Sequence, residues 1–108
     1  GLTFCQGNFA AMGADVPAAI RAFGEKIHFV HFRDVEGAPD SFVETWHDDG
    51  PTDMKAAIDA YEAIGFDGPI RPDHVPRMLD EQDRDAAMEG YTDMGRLFAI
   101  GYIRGLLE

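Results

Sequence analysis

Three side chains of the types that bind divalent transition metals occur at strand-like places in this sequence: Cys5, His31 and Asp73. A thiolate, an imidazole and a carboxylate are the common protein donors for such ions. No two of them share a short spacing motif, so residue type alone leaves other readings open. Cys5 is the only cysteine, and a lone cysteine near a strand is usually a small buried hydrophobe. Asp73 lies between Pro72 and His74, where a buried carboxylate needs a partner. Arg71 would serve as that partner in a structural ion pair, with no metal at all. His28 reads as a structural residue, and Trp46 as cover for an apolar edge.

These residues need elements to position them, and the punctuation of the chain separates three strand-then-helix segments. Residues 1–7 read as a short strand ending in a turn at Gln6, Gly7 and Asn8. Asp15 is placed to cap a helix, with Pro17 in its first turn and Gly24 at its end, as capping preferences dictate. The stretch 26–34 is apolar on both faces through its middle, the pattern of a parallel strand buried under helices. A loop follows through Gly37, Pro39 and His47 to Gly50, and a second helix starts at Thr52 or Asp53 and runs to Gly65. The third strand, 68–74, contains two prolines, which remove ladder donors and make it irregular. A last helix is expected from about Thr92 to Leu107, with Phe98, Tyr102 and Leu106 at four-residue spacing and Leu97, Ile100, Ile103 and Leu107 beside them. Gly95, Gly101 and Gly105 lower its propensity, so packing must hold it.

Strand–helix alternation around a buried central strand predicts parallel βαβ units. Three units are few for a closed domain, since a TIM (β/α)8 barrel needs eight strands and about 250 residues. The expected fold is therefore α/β, with residues 1–108 forming roughly the last three βα units, the C-terminal part, of a single TIM-barrel domain. The N-terminal part is expected to be missing, in keeping with a start at Gly1 and not at Met. A free-standing three-stranded domain is the alternative. In parallel α/β folds ligand sites form at the C-terminal ends of the strands, and Cys5, Gln6, His31, Arg33, Asp34, Arg71, Asp73 and His74 all fall there. Side-chain alternation puts Ile27, Phe29, His31 and Arg33 on one face of the central strand and His28, Val30, Phe32 and Asp34 on the other. If the first set faces the axis, Cys5, His31 and Asp73 converge. Parity sends His74 away from Asp73.

Composition narrows the classes of partner. Twenty acidic and nine basic side chains leave a formal charge of −11, which opposes phosphate binding and so excludes a nucleic-acid role. The same balance offers no basic face to an anionic membrane. Asp80, Glu81, Asp83 and Asp85 crowd one stretch and read as a solvated surface segment. One cysteine excludes an intrachain disulfide and, with no signal peptide, fits a reducing cytoplasm. No apolar run approaches the roughly 20 residues that cross a bilayer.

The blocks around these residues resemble the C-terminal part of the D-mannonate dehydratases. They are Thr3 to Asn8, Ile27 to Val35, His47 to Gly50 with Thr52 to Met54, Arg71 to Val75, and Gly95 to Tyr102, in the same order and across essentially the whole chain. The His31-Phe32-Arg33-Asp34 ending alone would suggest only the wider xylose-isomerase-like barrel group. The resemblance implies a TIM-barrel lyase of hexuronate breakdown that dehydrates D-mannonate to 2-dehydro-3-deoxy-D-gluconate with Mn2+ or Fe2+. It implies Cys5, His31 and Asp73 as three metal ligands, a second His being expected from an earlier strand outside these 108 residues. It further implies His74 and Tyr91 as catalytic groups, and Arg33, His47 and Arg71 as substrate-binding groups. A homo-oligomer is expected, and the chain alone is not expected to turn over substrate. The alternatives are a sugar isomerase or epimerase with the same metal site, and a non-catalytic binding module.

Overall fold

Alternating short strands and capped helices produce a three-stranded parallel sheet packed against helices. The computed structural model describes residues 1–76 and 93–108. In chain order the elements are β1 (Leu2–Cys5), α1 (Gln6–Ala11), α2 (Val16–Phe23), β2 (Ile27–His31), β3 (Val35–Ala38), β4 (Ser41–Glu44), α3 (Met54–Ala63), β5 (Ile70–Arg71) and α4 (Asp93–Leu107). β2 is central, with β1 and β5 parallel on either side, and β3 and β4 form a separate antiparallel hairpin.

The two inner helices begin as their sequences dictate. The Asp15 carboxylate accepts from the Ala18 amide at the start of α2, and Asp53 accepts from Ala56 at the start of α3, each satisfying an orphan helix donor. Gly24 ends α2 at φ 51°, a left-handed conformation that glycine adopts without a Cβ penalty. The helices pack one face of the sheet. Phe4 and Val30 from the strands, with Phe32 just beyond β2, meet Ile20 of α2, Ile58 and Tyr61 of α3 and Ile103 of α4. Ile27, expected on the opposite face with His31, also lies in this core. The β1–β2 register shifts there, Leu2 facing Ile27 but Thr3 facing Phe29, and the alternation is broken.

Four local expectations are corrected. Gln6, Gly7 and Asn8 open helix α1 and make no turn. The loop after β2 contains the β3–β4 hairpin, turned by Pro39 and Asp40, a pair suited to the central positions of a tight turn. The third strand shrinks to Ile70–Arg71, held where Val30 and Phe32 donate to the carbonyls of Pro69 and Arg71; the flanking prolines cannot donate and end it. On α4 the buried stripe is Gly95, Ala99 and Ile103, while Leu97 is 73% exposed. Small residues win that face because Val75 presses on it: a Cβ at Gly95 would stand 2.7 Å from the Val75 Cγ2 atom. Trp46 does cover an apolar edge, meeting Phe98 edge-on at 5.7 Å. Among the described residues, no helix is long and apolar enough to cross a membrane. Tyr91, Thr92 and the acidic stretch 80–85 lie outside the described residues.

Candidate metal centre

The strand register builds the site. In the parallel pairing Cys5 stands opposite His31, and His31 opposite Arg71, so three polar side chains lie abreast at strand spacing of about 4.8 Å. Their strands end there, because α1 starts at Gln6 and the prolines stop β5. Asp73 arrives by a different route. It has φ 59°, the one non-glycine residue with positive φ among the described residues, a sparsely populated conformation that Asp tolerates better than most. Such a backbone concentrates at functional sites, and here it breaks the alternation that would have sent His74 away.

One donor atom from each of Cys5, His31 and Asp73 lies within 4.8 Å of the other two. Donors around a single ion at about 2.0–2.3 Å sit roughly 3–4.5 Å apart, so a small side-chain adjustment brings this set onto one ion. The chemistry of the set fits a divalent transition metal. Burial pushes the His31 imidazole below its ordinary range, Asp73 pulls it back, and Arg71, Arg33 and His74 push it down again. That favours the neutral ring, the form that coordinates.

Cations surround the donors. Arg33 reaches Asp73 Oδ2 at 3.4 Å and the Cys5 sulfur at 3.6 Å through one terminal nitrogen, and Glu44 Oε1 at 2.9 Å through the other. Arg71 meets Asp73 Oδ1 at 3.3 Å from a more exposed position. This ion pair, expected as the alternative to a metal site, is present, and His31 Nδ1 also stands 3.7 Å from Asp73 Oδ2. His74 sits at the rim, Nδ1 3.7 Å from Glu44 Oε1 and Nε2 3.9 Å from Asp73 Oδ1. Burial raises the Glu44 carboxyl above its usual range, against the downward pull of Arg33 and then His74.

His47 occupies a different position from the one expected of a substrate-binding group. It has no exposed surface, and its Nε2 lies 2.5 Å from the Phe32 carbonyl and 3.0 Å from the Pro72 carbonyl. As the donor to both, it ties the end of β2 to the residue before Asp73. Burial lowers its pKa, outweighing both backbone bonds, so it serves as a neutral brace. Gln6 is another brace: the Tyr61 hydroxyl donates to its Oε1 at 2.7 Å, directly behind Cys5.

Sequence reasoning missed Glu44 and the role of Gly7. A Cβ at Gly7 would lie 2.4 Å from Arg33 Nε; the glycine lets the guanidinium pass over α1. The Pro39-Asp40 turn between Val35 and Val43 was the available signal for the hairpin that carries Glu44.

With this geometry established, comparison with known proteins is direct. The profile of the D-mannonate dehydratase (UxuA) family matches residues 1–108. The mannonate dehydratase of Enterococcus faecalis is 40% identical over 112 aligned residues, covering 100% of this chain and 30% of that protein. Mannonate dehydratase 1 of Halalkalibacterium halodurans is 39% identical, again with 100% of this chain and 30% of that protein covered. The crystal structure of mannonate dehydratase from Streptococcus suis serotype 2 matches with a TM-score of 0.85 at 30% identity, over 98% of this chain and 31% of that one. The chain thus spans about 30% of the length of these relatives.

Proposed function

This chain belongs to the D-mannonate dehydratase family, and from that premise we propose that it forms part of an enzyme eliminating water from D-mannonate to give 2-dehydro-3-deoxy-D-gluconate. In this reading it contributes the last three βα units of a TIM barrel of the xylose-isomerase-like type, whose sites gather at the C-terminal strand ends. The observation that supports it most is the approach of Cys5, His31 and Asp73 to within 4.8 Å at that end. These three would hold one divalent ion, manganese or iron(II). A bound ion would supply Lewis-acid stabilisation of the charge that develops on the sugar-acid carboxylate.

The chain's own residues divide the remaining work. One proton must leave C2, and the C3 hydroxyl must take one to depart as water, after which the enol tautomerises to the 2-keto acid. His74, partly exposed beside Asp73, exchanges one of these protons through Nε2 as an acid/base group. Tyr91, beyond the described residues, is the second candidate. Arg71, 40% exposed at its side chain, orients the substrate carboxylate with charge-assisted bonds, and Arg33 holds the donor side of the site. His47 acts through the backbone it braces.

The test is calorimetric titration of Mn2+ into this chain and its Cys5→Ser variant, followed by D-mannonate into the loaded chain. Binding that weakens at least tenfold on substitution, with sugar acid binding only when metal is present, is expected. Mn2+ binding indifferent to the substitution would overturn the ligand assignment.

A further inference from the structure

We infer that Glu44, carried in by the β3–β4 hairpin, is the positioning residue for Arg33, holding its guanidinium so that one terminal nitrogen faces Cys5 and Asp73. The inference rests on the proposed metal-site reading and deepens it.

Arg33 makes contacts of unequal quality. Its bond to Glu44, at 2.9 Å, has the length of a charge-assisted hydrogen bond, whereas Asp73 at 3.4 Å and Cys5 at 3.6 Å are longer. Glu44 therefore sets where the guanidinium sits. Two buried atoms have no partner here, Arg33 Nε and Glu44 Oε2. They do not bond each other in this structure; a small rotation bringing them together would complete a side-on bidentate pair, the geometry the Nε edge of arginine is shaped for. Held by Glu44 through one terminal nitrogen, the guanidinium leaves the other for the thiol and carboxylate. The chain provides for this arrangement in two further places. Gly7 clears the path of the Arg33 stem, and the Phe42 ring, also on the hairpin, lies 5.9 Å from the guanidinium carbon.

Function follows from charge. A cation standing 3.4 Å from Asp73 competes with any metal for the same oxygen. Glu44 offsets that charge and holds it to one side. Without Glu44 the guanidinium is uncompensated and free to close on Asp73 and Cys5, and both effects oppose metal binding.

The decisive experiment has two readouts on this chain. First, 15N NMR of the Arg33 Nε–H should show a resonance protected from solvent exchange, lost in Glu44→Gln and regained at least in part in Glu44→Asp. An unprotected Nε–H in the unaltered chain overturns the inference, whatever the variants do. Second, Glu44→Gln should weaken Mn2+ binding about tenfold or more, and that loss should vanish when both proteins also carry Arg33→Met. A loss that persists without Arg33 means Glu44 acts as a general charge or a fold element and overturns the positioning role. If the unaltered chain binds no Mn2+, the ligand reading fails in this chain while the NMR signature still decides the role of Glu44.

Discussion

The two faces of the central strand are held together by different physics. On the helix side, Val30 and Phe32 have no exposed surface and lie among Ile20, Ile58 and Tyr61. Contact area holds that side, at roughly 25 cal/mol for each Å² of apolar surface removed from water. On the other side, His31 is only partly buried, with Phe29 edge-on to it at 5.1 Å. At its C-terminal end a few directional bonds tie Arg33, Arg71, Asp73 and Glu44 into one network. The lesson is a division of labour across one strand. Dense apolar packing on one face supplies the rigidity that allows the other to gather charges at close quarters. The sharpest way to break this comparison is Phe32→Ala. A buried aromatic truncated to alanine costs about 3–5 kcal/mol, and urea denaturation should register that loss. A loss below about 1 kcal/mol would show that the helix side is not what holds the strand.

The same division governs how much was legible in the sequence. Local signals were reliable where the cause is local: Asp15 and Asp53 announce their helices because a cap acts within three residues, and Gly24 announces an end. The pairing of Cys5 with His31 was legible from parallel strand register, which acts over neighbouring strands. Asp73 reaches them through a left-handed backbone beyond the strand, which parity does not foresee. What was illegible depends on contacts distant in sequence. Gly7 looks like a turn residue, yet it is glycine because Arg33, far along the chain, crosses it. His47 sits beside loop acids, and the local sequence leaves its placement open; it is drawn inward by the carbonyls of Phe32 and Pro72. Gly95 reads as a weak point of a helix, and only the position of Val75 explains it. Glu44 belongs to a hairpin whose importance lies entirely in the residue it reaches.

The brace between the two faces gives the next prediction. His47 is buried with its folded pKa lowered, so the unfolded chain takes up its proton first as pH falls. Its contribution to stability is complete above the unfolded value near 6.5 and is lost as pH drops from there through the folded value. The slope from one proton cannot exceed about 1.4 kcal/mol per pH unit. His31 is lowered as well and adds a slope of the same sign, so the informative quantity is a difference. Urea midpoints measured from pH 7.5 to 5.5 should fall more steeply for the unaltered chain than for His47→Gln. Equal slopes would show that the ring is not held neutral between its two carbonyls.

The smallest expected effects lie on the helix side, at the two caps, where they sharpen the comparison most finely. Asp15→Ala and Asp53→Ala each remove one side-chain bond to an exposed helix amide, and such a loss costs typically about 1 kcal/mol. The two caps differ in what adjoins them. Among the described residues, the Asp15 carboxylate bonds the Ala18 amide and makes no hydrogen bond to the polar end of the sheet. Asp53 follows Thr52, whose amide and hydroxyl both donate to the buried Asp34 carboxylate at 2.7 Å, one residue beyond Arg33. If the faces are independent, chemical denaturation should give nearly equal losses for the two variants, and neither should alter Mn2+ titration. If the loop from Asp34 to Asp53 couples them, Asp53→Ala should cost more than Asp15→Ala and loosen metal binding besides. Equal costs with unchanged binding would therefore show that the start of helix α3 lends the site no support through the loop from Asp34, and leave the Tyr61–Gln6 bond as that helix's polar link to the strand ends.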